Sequence, residues 1–320
     1  DVCSSDLEGL LMTLYFDFDS DELTDESVRR LEQFINEIRL LRKEATAYNN
    51  KPSDYVARST AILFNHENAW SIERQKQNAT WNTMAHIEKY YRTLKSFGAP
   101  VDFITEEKDF NRYPVMIVPA YQLADEPLVS RWVDYVRKGG NLVVTCRTAQ
   151  KDRYGRLPEA AFGSLINGLT GNKMDFYDLL LPGDPGLVKM DGKEYQWNTW
   201  GEILIPGETS EVWATYQKEF YEGKPAVTHY KLGKGSVTYV GVDSFDGKLE
   251  AEILKKLYAR LGIGVQSLPY GVTMEYRNGL GIVLNYSDQP YQFTLPKGAK
   301  VLIGNTLIST AGVLVFKLNN

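Results

Sequence analysis

The sequence predicts an α/β protein: an open, mostly parallel sheet with helices on both faces, followed by a small antiparallel β domain. Three observations predict it. Between Pro114 and Asp152 an apolar run, a helix-spaced stripe and a second apolar run follow one another, the pattern of a parallel crossover unit of roughly thirty residues. From Thr60 to Thr145 the order is strand, helix, strand, strand, helix, strand, and such a sheet needs cover on both faces. After Gly262 the pattern changes to short alternating segments broken by Gly, Asn and Pro, where no helix fits.

Taken in order, Leu10 to Phe18 (LLMTLYFDF) reads as a strand. Asp17, Asp19, Asp21 and Glu22 follow, without the glycine or the closing Glu of a Ca²⁺ loop, so they read as a solvated acidic turn. Thr24 or Asp25 caps a helix to about Lys43, with Val28, Leu31, Phe34, Ile35, Ile38 and Leu41 on one face. Residues 45–55 read as a linker. Arg58 to Asn65 is a buried strand. Trp81, Met84, Ile87, Tyr91 and Leu94 mark a helix ending near Gly98, and Val101 to Ile104 is a short strand.

The central unit is the best specified. Val115 to Pro119 is a strand. Asp125 caps a helix with Pro127 in its first turn, and Leu128, Trp132, Tyr135 and Val136 form its stripe. Arg137 and Lys138 suit the negative end of the dipole, Gly139-Gly140 stops the helix, and Leu142 to Cys146 is the next strand. Phe162 to Leu169 reads as a short helix, and Phe176 to Asn198 as a long Gly-, Pro- and Asp-rich excursion with a few strands. Strands follow at Ile203–Ile205, Val212–Tyr216, Ala226–Leu232 and Ser236–Val242, the last two joined by a tight hairpin at KLGKGS. Gly247 to Leu261 is a helix with Leu249, Ile253, Leu254, Leu257 and Leu261 inward. Beyond it, Met274–Arg277, Gly281–Tyr286, Tyr291–Leu295, Val301–Ile303 and Gly312–Lys317 read as strands.

Composition bounds the function. A chain of 320 residues carries about two domains, and 43% hydrophobic with 24% charged residues is ordinary for a globular protein. A net charge of -5 gives no general pull towards nucleic acid or anionic membranes, and no apolar run approaches the ~20 residues of a membrane helix. The 20 Tyr and 6 Trp suit carbohydrate contact, large cores and subunit contacts alike, so they decide nothing alone. Cys3 and Cys146 make neither a disulfide framework nor a metal cluster, and His66, His86 and His229 show no metal-ligand spacing. No metal and no cofactor are expected. The opening DVCSSDL lacks Met and matches the in-frame translation of a common sequencing adapter, so residues 1–7 are expected to be non-biological and the compartment stays open.

Most candidate sites fail on chemistry. Cys146 ends a strand as an amidotransferase nucleophile would, but no elbow glycine flanks it and His229 has no acid partner two residues on. Gly168 to Lys173 (GLTGNK) lacks the spacing and hydroxyl of a phosphate loop. His66-Glu67 after a strand end reads as a capped turn. Asn78-Ala-Thr80 and Asn285-Tyr-Ser287 are glycosylation sequons, relevant only in a secretory pathway. A glycosidase needs two carboxylates about 5 to 10 Å apart, and no sequence interval encodes that. Trp197 and Trp200 (YQWNTWGE) are the weak candidates for stacking on a sugar, against the commoner reading of core or interface anchors.

The residues also carry a resemblance. Thr60–Trp70 (TAILFNHENAW), Tyr90–Asp102 (YYRTLKSFGAPVD), Val115–Gln122 (VMIVPAYQ), Gly139–Thr148 (GGNLVVTCRT), Val212–Thr228 (VWATYQKEFYEGKPAVT) and Leu232–Gly241 (LGKGSVTYVG) resemble the middle domain of glycoside hydrolase family 42 β-galactosidases. Leu268–Val272 (LPYGV) and Leu284–Pro290 (LNYSDQP) resemble the start of that family's C-terminal β domain. The resemblance implies a flavodoxin-like, class I glutamine amidotransferase-like α/β domain that makes a homotrimer. It also implies a catalytic (β/α)₈ barrel, with both catalytic Glu residues, upstream of this chain.

The implied organisation is a remnant of the barrel end and linker over 8–56, a trimerisation domain over 57–263 and a C-terminal β domain over 264–320. YFDFDSDEL departs from the family pattern. The expected function is that of a C-terminal fragment of a retaining β-galactosidase. The chain would supply trimerisation and packing, carry no catalytic residue, and meet β-galactosides only through the missing barrel. The alternative is a non-catalytic carbohydrate-binding or assembly module.

Overall fold

The computed structural model describes residues 60–318 except 99, 100, 160–162, 182 and 278, together with residues 29, 32, 33, 35, 36 and 39. Those six are helical, within the helix expected up to Lys43. Residues 1–7, the strand expected at Leu10–Phe18, the acidic turn and the 45–55 linker lie outside the described residues. The chain divides into a unit over Asp1–Lys51 and a larger one over Pro52–Asn320, which holds the sheet.

Its first half alternates strand and helix: β1 (Thr60–Leu63), α1 (His66–Arg74), α2 (Thr83–Ser96), β2 (Val101–Ile104), β3 (Val115–Val118), α3 (Glu126–Lys138) and β4 (Asn141–Thr145). Each helix starts on a side-chain cap. Asn65 accepts from the Asn68 N–H, Asn82 from Ala85 and Asp125 from Leu128. Gly139, at φ 121°, ends α3 in a conformation a side chain would strain. A short α4 (Asn167–Thr170) leads into strands β5 (Asn172–Asp178), β6 (Gly186–Met190), β7 (Lys193–Pro206), β8 (Glu211–Tyr216), β9 (Pro225–Leu232), β10 (Gly235–Val240) and β11 (Val242–Ser244). Helix α5 (Lys248–Arg260) closes the unit.

These strands form one sheet in the order β11-β7-β6-β8-β9-β10-β4-β3-β1-β2, with β5 also on β7. β2, β1, β3, β4 and β10 pair in parallel, with β1, β3 and β4 adjacent as expected. The other strands pair antiparallel, so the parallel character belongs to the core strands and not to the whole sheet. Connection length is the physical reason: helical crossovers return a chain parallel, and two-residue turns return it antiparallel. Asp191-Gly192 between β6 and β7, both at positive φ, is such a turn, and Gly233-Lys234 joins β9 to β10.

The parallel strands alternate across two cores. Ile62, Ile117 and Val143 face α2 and α5, where Ile87, Tyr90, Leu94, Leu249, Ile253 and Leu257 are buried. Ala61, Leu63, Met116, Val118, Leu142 and Val144 face α3, with Leu128, Trp132 and Val136.

Several expectations are corrected. A helix at 66–74 replaces the simple turn expected at His66-Glu67, because Asn65 caps it and Ala69 and Ile72 bury one face. The α2 stripe runs through Thr83, His86, Ile87, Tyr90 and Leu94, while Met84 and Tyr91 are exposed and Trp81 precedes the helix. The excursion at 176–198 is mostly regular strand: β7 spans 14 residues and takes in the short strand expected at Ile203–Ile205.

The C-terminal part has β12 (Val272–Arg277), β13 (Leu280–Asn285), β14 (Tyr291–Gln292), β15 (Lys300–Ile303), β16 (Leu307–Ile308) and β17 (Gly312–Lys317). They form an antiparallel sheet β12-β13-β17-β15 and a separate β14–β16 pair. β16 was not expected, and the strand at 291–295 shrinks to two residues. Val272, Met274, Val283, Phe293, Leu314 and Phe316 make the core. The domain docks on α2 through Leu268 N–H to Ser96 O (3.0 Å), the Lys95–Glu275 ion pair and Arg92 over the Tyr270 ring.

Candidate functional site

Open parallel sheets place ligands beyond the carboxyl ends of their strands. Here those ends carry three non-glycine residues in the left-handed region: Ala120 after β3, and Arg147 and Ala149 after β4. Such conformations cost of order 1–3 kcal/mol each and cluster at functional sites. The crevice, however, is filled by the chain itself. The Asn68 side chain accepts from Leu123 N–H (2.6 Å), Ser71 donates to Gln122 Oε1 (2.9 Å), and Lys151 Nζ donates to Gln75 Oε1 (2.6 Å). Helix α1 and its following turn are thus laced onto the loops after β3 and β4.

Cys146 lies beneath this lid, packed with Ile72, Trp81, Ala120 and Trp200. Burial pushes its thiol well above the usual range, with Glu202 and Asp243 adding to the effect. The chain does turn sharply after β4 without a glycine, but Arg147 takes the strained position. The Arg147 guanidinium is sandwiched between Trp81 (4.6 Å) and Trp200 (4.4 Å) and donates to Lys76 O (3.0 Å) and Gln77 Oε1 (3.1 Å).

The imidazole near this strand end is His86, not His229. His86 Nδ1 meets Asp243 Oδ1 at 2.7 Å and His86 Nε2 meets Thr145 Oγ1 at 2.9 Å. Hydroxyl, imidazole and carboxylate in that order share the connectivity of a hydrolytic triad. All three are buried, and the Thr145 hydroxyl also accepts the Ala120 N–H (2.7 Å), so no substrate reaches it. Burial alone raises the Asp243 carboxyl, but the His86 hydrogen bond and the Lys89 charge more than offset it and hold it far below the usual range. The network ties α2, β4 and β11 together.

Glu202 is another buried carboxylate, as is Glu250, which is bonded to Ser244. Glu202 accepts from Arg147 N–H (2.8 Å), Gln150 Nε2 (3.1 Å), Trp200 Nε1 (3.0 Å) and the Tyr239 hydroxyl (2.5 Å). Burial raises its pKa, and these donors work against the rise. Three of these donors converge on Oε1 and one on Oε2, which fixes the carboxylate inside the core.

Trp197 and Trp200 are 1% and 0% exposed, which corrects their candidacy as sugar platforms. The Trp197 indole lies against Gly186 and Gly201, where an added Cβ would sit 2.5 and 2.6 Å from the ring. Trp200 stacks on Tyr177 (4.6 Å, 10°). His229 stacks on Trp213 (4.5 Å) and meets Thr238 Oγ1 at 3.0 Å, and burial lowers its pKa to about 4. Gly171 caps α4, which accounts for the GLTGNK run. Asn285 is buried, with its amide spent on Gln289 O and Ile308 O, so that sequon offers no acceptor in the folded chain. A cleft of about 600 Å³ opens beside α3, lined by Glu126, Ser130, Lys151, Asp152 and Ser164 among others. None of the residues singled out from the sequence lines it. Among the described residues no group of three or more His, Cys, Asp or Glu is placed to hold a metal ion. His86, Thr145 and Asp243 escaped sequence reasoning. A polar residue in step with Ile87, Tyr90 and Leu94 was the signal for His86.

The family model for the β-galactosidase trimerisation domain matches residues 58–267, and that for the β-galactosidase C-terminal domain matches residues 271–318. The chain belongs to glycoside hydrolase family 42. Its curated relatives include the β-galactosidase BgaH of Haloferax lucentense, 29% identical over 255 residues, which covers 80% of this chain and 38% of the relative. GanA of Bacillus subtilis is 27% identical over 263 residues, or 78% of this chain and 38% of the relative. Among solved structures, the β-galactosidase from Halorubrum lacusprofundi superposes with a TM-score of 0.74 at 25% identity, covering 81% of this chain and 39% of that one. The enzyme from Marinomonas ef1 gives the same TM-score at 21% identity over 93% of this chain and 43% of that one. The chain therefore spans about 40% of the length of the relatives it matches.

Proposed function

We propose that this chain is the assembly part of a retaining β-galactosidase: a C-terminal portion that trimerises and packs, and that carries no catalytic residue. The observation that supports it most is the family match over 58–267, which falls on a unit whose buried carboxylates are hydrogen-bonded within the core. Retaining hydrolysis needs an acid and a nucleophile about 5 Å apart across an open pocket. Both are assigned to a part of the parent enzyme outside this chain, and terminal β-galactosides would meet that part. We also propose that the α/β unit is flavodoxin-like, of the class I glutamine amidotransferase type. Supporting this, its parallel strands run β2-β1-β3-β4-β10, the 2-1-3-4-5 order of one doubly wound sheet, with Cys146 at a strand end.

The test is purified chain with a nitrophenyl β-galactoside, beside Glu202→Gln. No turnover is expected from either. Turnover that survives purification and disappears in Glu202→Gln would place an active site in this unit and end the assembly reading.

A further inference from the structure

The C-terminal β domain and the α/β unit keep separate apolar cores. The C-terminal core is drawn from residues 268–318 alone, and the α/β core ends with Leu261, Ile263 and Val265 packed on its flank. Among the described residues no apolar side chain of one core packs on the other. Residues 264–267 (GVQS) join the two, and among the described residues no backbone hydrogen bond holds them. Gly264 has neither a positive φ nor any atom within 4 Å of where a Cβ would sit, so neither strain nor crowding calls for glycine there. What glycine adds at that point is backbone freedom.

The contacts that hold the C-terminal domain are polar and sit on the last turns of α2. Leu268 N–H donates to Ser96 O (3.0 Å), and Lys95 pairs with Glu275 of β12. The Arg92 guanidinium lies 5.2 Å from the centre of the Tyr270 ring and donates to its hydroxyl. Positions 92, 95 and 96 are three and four apart, so they share one face of the helix. The helix itself is anchored elsewhere: His86 and Lys89 bond to Asp243, and Arg92 also bonds to Glu88 (2.8 Å). Contacts between domains of one chain permit relative motion unless they are large and apolar, and this one is carried by polar groups.

We propose that the C-terminal domain is a latched module, which releases from α2 and turns about residues 264–267 while both domains stay folded. Its own core lets it leave without unfolding. The link between the cores has free dihedrals and no backbone hydrogen bond to break, the character of a hinge. The catch is a short row of polar contacts that can open together. Helix α2 stays in place as a fixed post, because its His86 and Lys89 contacts do not involve the C-terminal domain. The Lys95–Glu275 pair sets the balance between the closed and open forms. Lys95 is 15% exposed and Glu275 36%, so opening returns both charges to water, and two like charges in that position would hold the domains apart.

The experiment is a distance measurement between two spin labels on the whole chain, by double electron–electron resonance. Cys3→Ser removes one native thiol, and Asp134→Cys on α3 and Lys297→Cys in the C-terminal domain carry the labels, both at exposed positions. Cys146 is buried and stays unlabelled. The labelled parent is expected to show one dominant, narrow distance. Adding Lys95→Glu is expected to raise the ratio of open to closed by roughly tenfold or more, seen as a second, broad population. Exchanging the charges, Lys95→Glu with Glu275→Lys, should restore the narrow distance. Lys95→Gln should give a smaller shift of the same kind, and it serves as the test if charge reversal prevents folding. Circular dichroism and thermal melting confirm that each variant folds. A narrow distance unchanged in the folded Lys95 variants overturns the inference. So does a broad distribution that the exchanged pair fails to narrow.

Discussion

At the ends of β3 and β4 the chain gathers His86, Cys146, Arg147, Glu202 and Asp243, and all are buried. At the β2 edge it leaves Trp70, Phe103 and Tyr91 in solvent. An enzyme built on this sheet would do the reverse, opening its polar strand ends and hiding its aromatic rings. The difference shows what each set is for. Burying a polar group is costly unless it is partnered, and here the partners span distant segments: Asp243 with α2, Arg147 with the turn after α1, Glu202 with the turn after β4 and with β10. Those contacts fix where the elements sit. The exposed rings at the β2 edge lie outside that network and touch one another across α1, α2 and β2.

The comparison breaks first at Asp243. Asp243→Ala removes the carboxylate that pairs with the His86 ring and the Lys89 ammonium, and the expected loss is about 3–5 kcal/mol in urea unfolding, because breaking a buried ion pair from one side is costly. Asp243→Asn, which keeps an acceptor for His86, should lose less. A loss under about 1 kcal/mol in the Ala variant would show the network slack and the crevice open to water.

Trp132 tests the packing that carries the crevice. Its ring is fully buried under α3, and its indole N–H has no hydrogen-bond partner. Trp132→Ala should therefore cost about 3 kcal/mol, at the low end for a buried Trp, since an unsatisfied donor leaves with the ring.

Acid sharpens the comparison. The His229 pKa is lowered to about 4 from an ordinary 6.5, so between those values the unfolded chain binds more protons than the folded one. Stability is then full above about pH 6.5 and falls as pH drops towards 4, by on the order of 1–2 kcal/mol at pH 5. The Asp243 carboxyl, held low, adds a loss of the same sign at still lower pH. Thermal melts at pH 7 and pH 5 check this, and His229→Phe, which keeps a ring on Trp213, should flatten the slope. The smallest effect belongs to the surface: Phe220→Ser should change stability by under about 0.5 kcal/mol.

The framework of this unit was legible because its signals are local. Asp125, Pro127 and Gly139 bound α3, the runs at 115–118 and 142–144 are apolar throughout, and LGKG makes its hairpin. What was missed depends on residues far apart in sequence. The α1 helix has few apolar residues and holds its place through Asn68 and Ser71 contacts with residues more than fifty positions away. Strand β7 mixes Glu194, Gln196 and Asn198 with Trp197 and Trp200, so its composition reads as loop while its pairing with β5, β6 and β11 makes it a strand. The same distance effect hid the buried network, since His86, Thr145 and Asp243 meet across up to 157 positions. The Trp197 and Trp200 pair was legible as aromatic but not as buried. The approach of Gly186 and Gly201 closes off Trp197, and Tyr177 and the Arg147 guanidinium cover Trp200.

The central claim is that the strand-end crevice is closed architecture, and Cys146 reports on it directly. The measurement is iodoacetamide labelling of the native chain at neutral pH, read by peptide mapping so that Cys3 is counted separately. Cys146 is expected to stay unmodified while the chain is folded and to label fully once it is unfolded in denaturant, because both burial and a raised pKa remove the reactive thiolate. Rapid, complete labelling of Cys146 in the folded chain would mean an open strand end with an activated thiol, and would contradict the account.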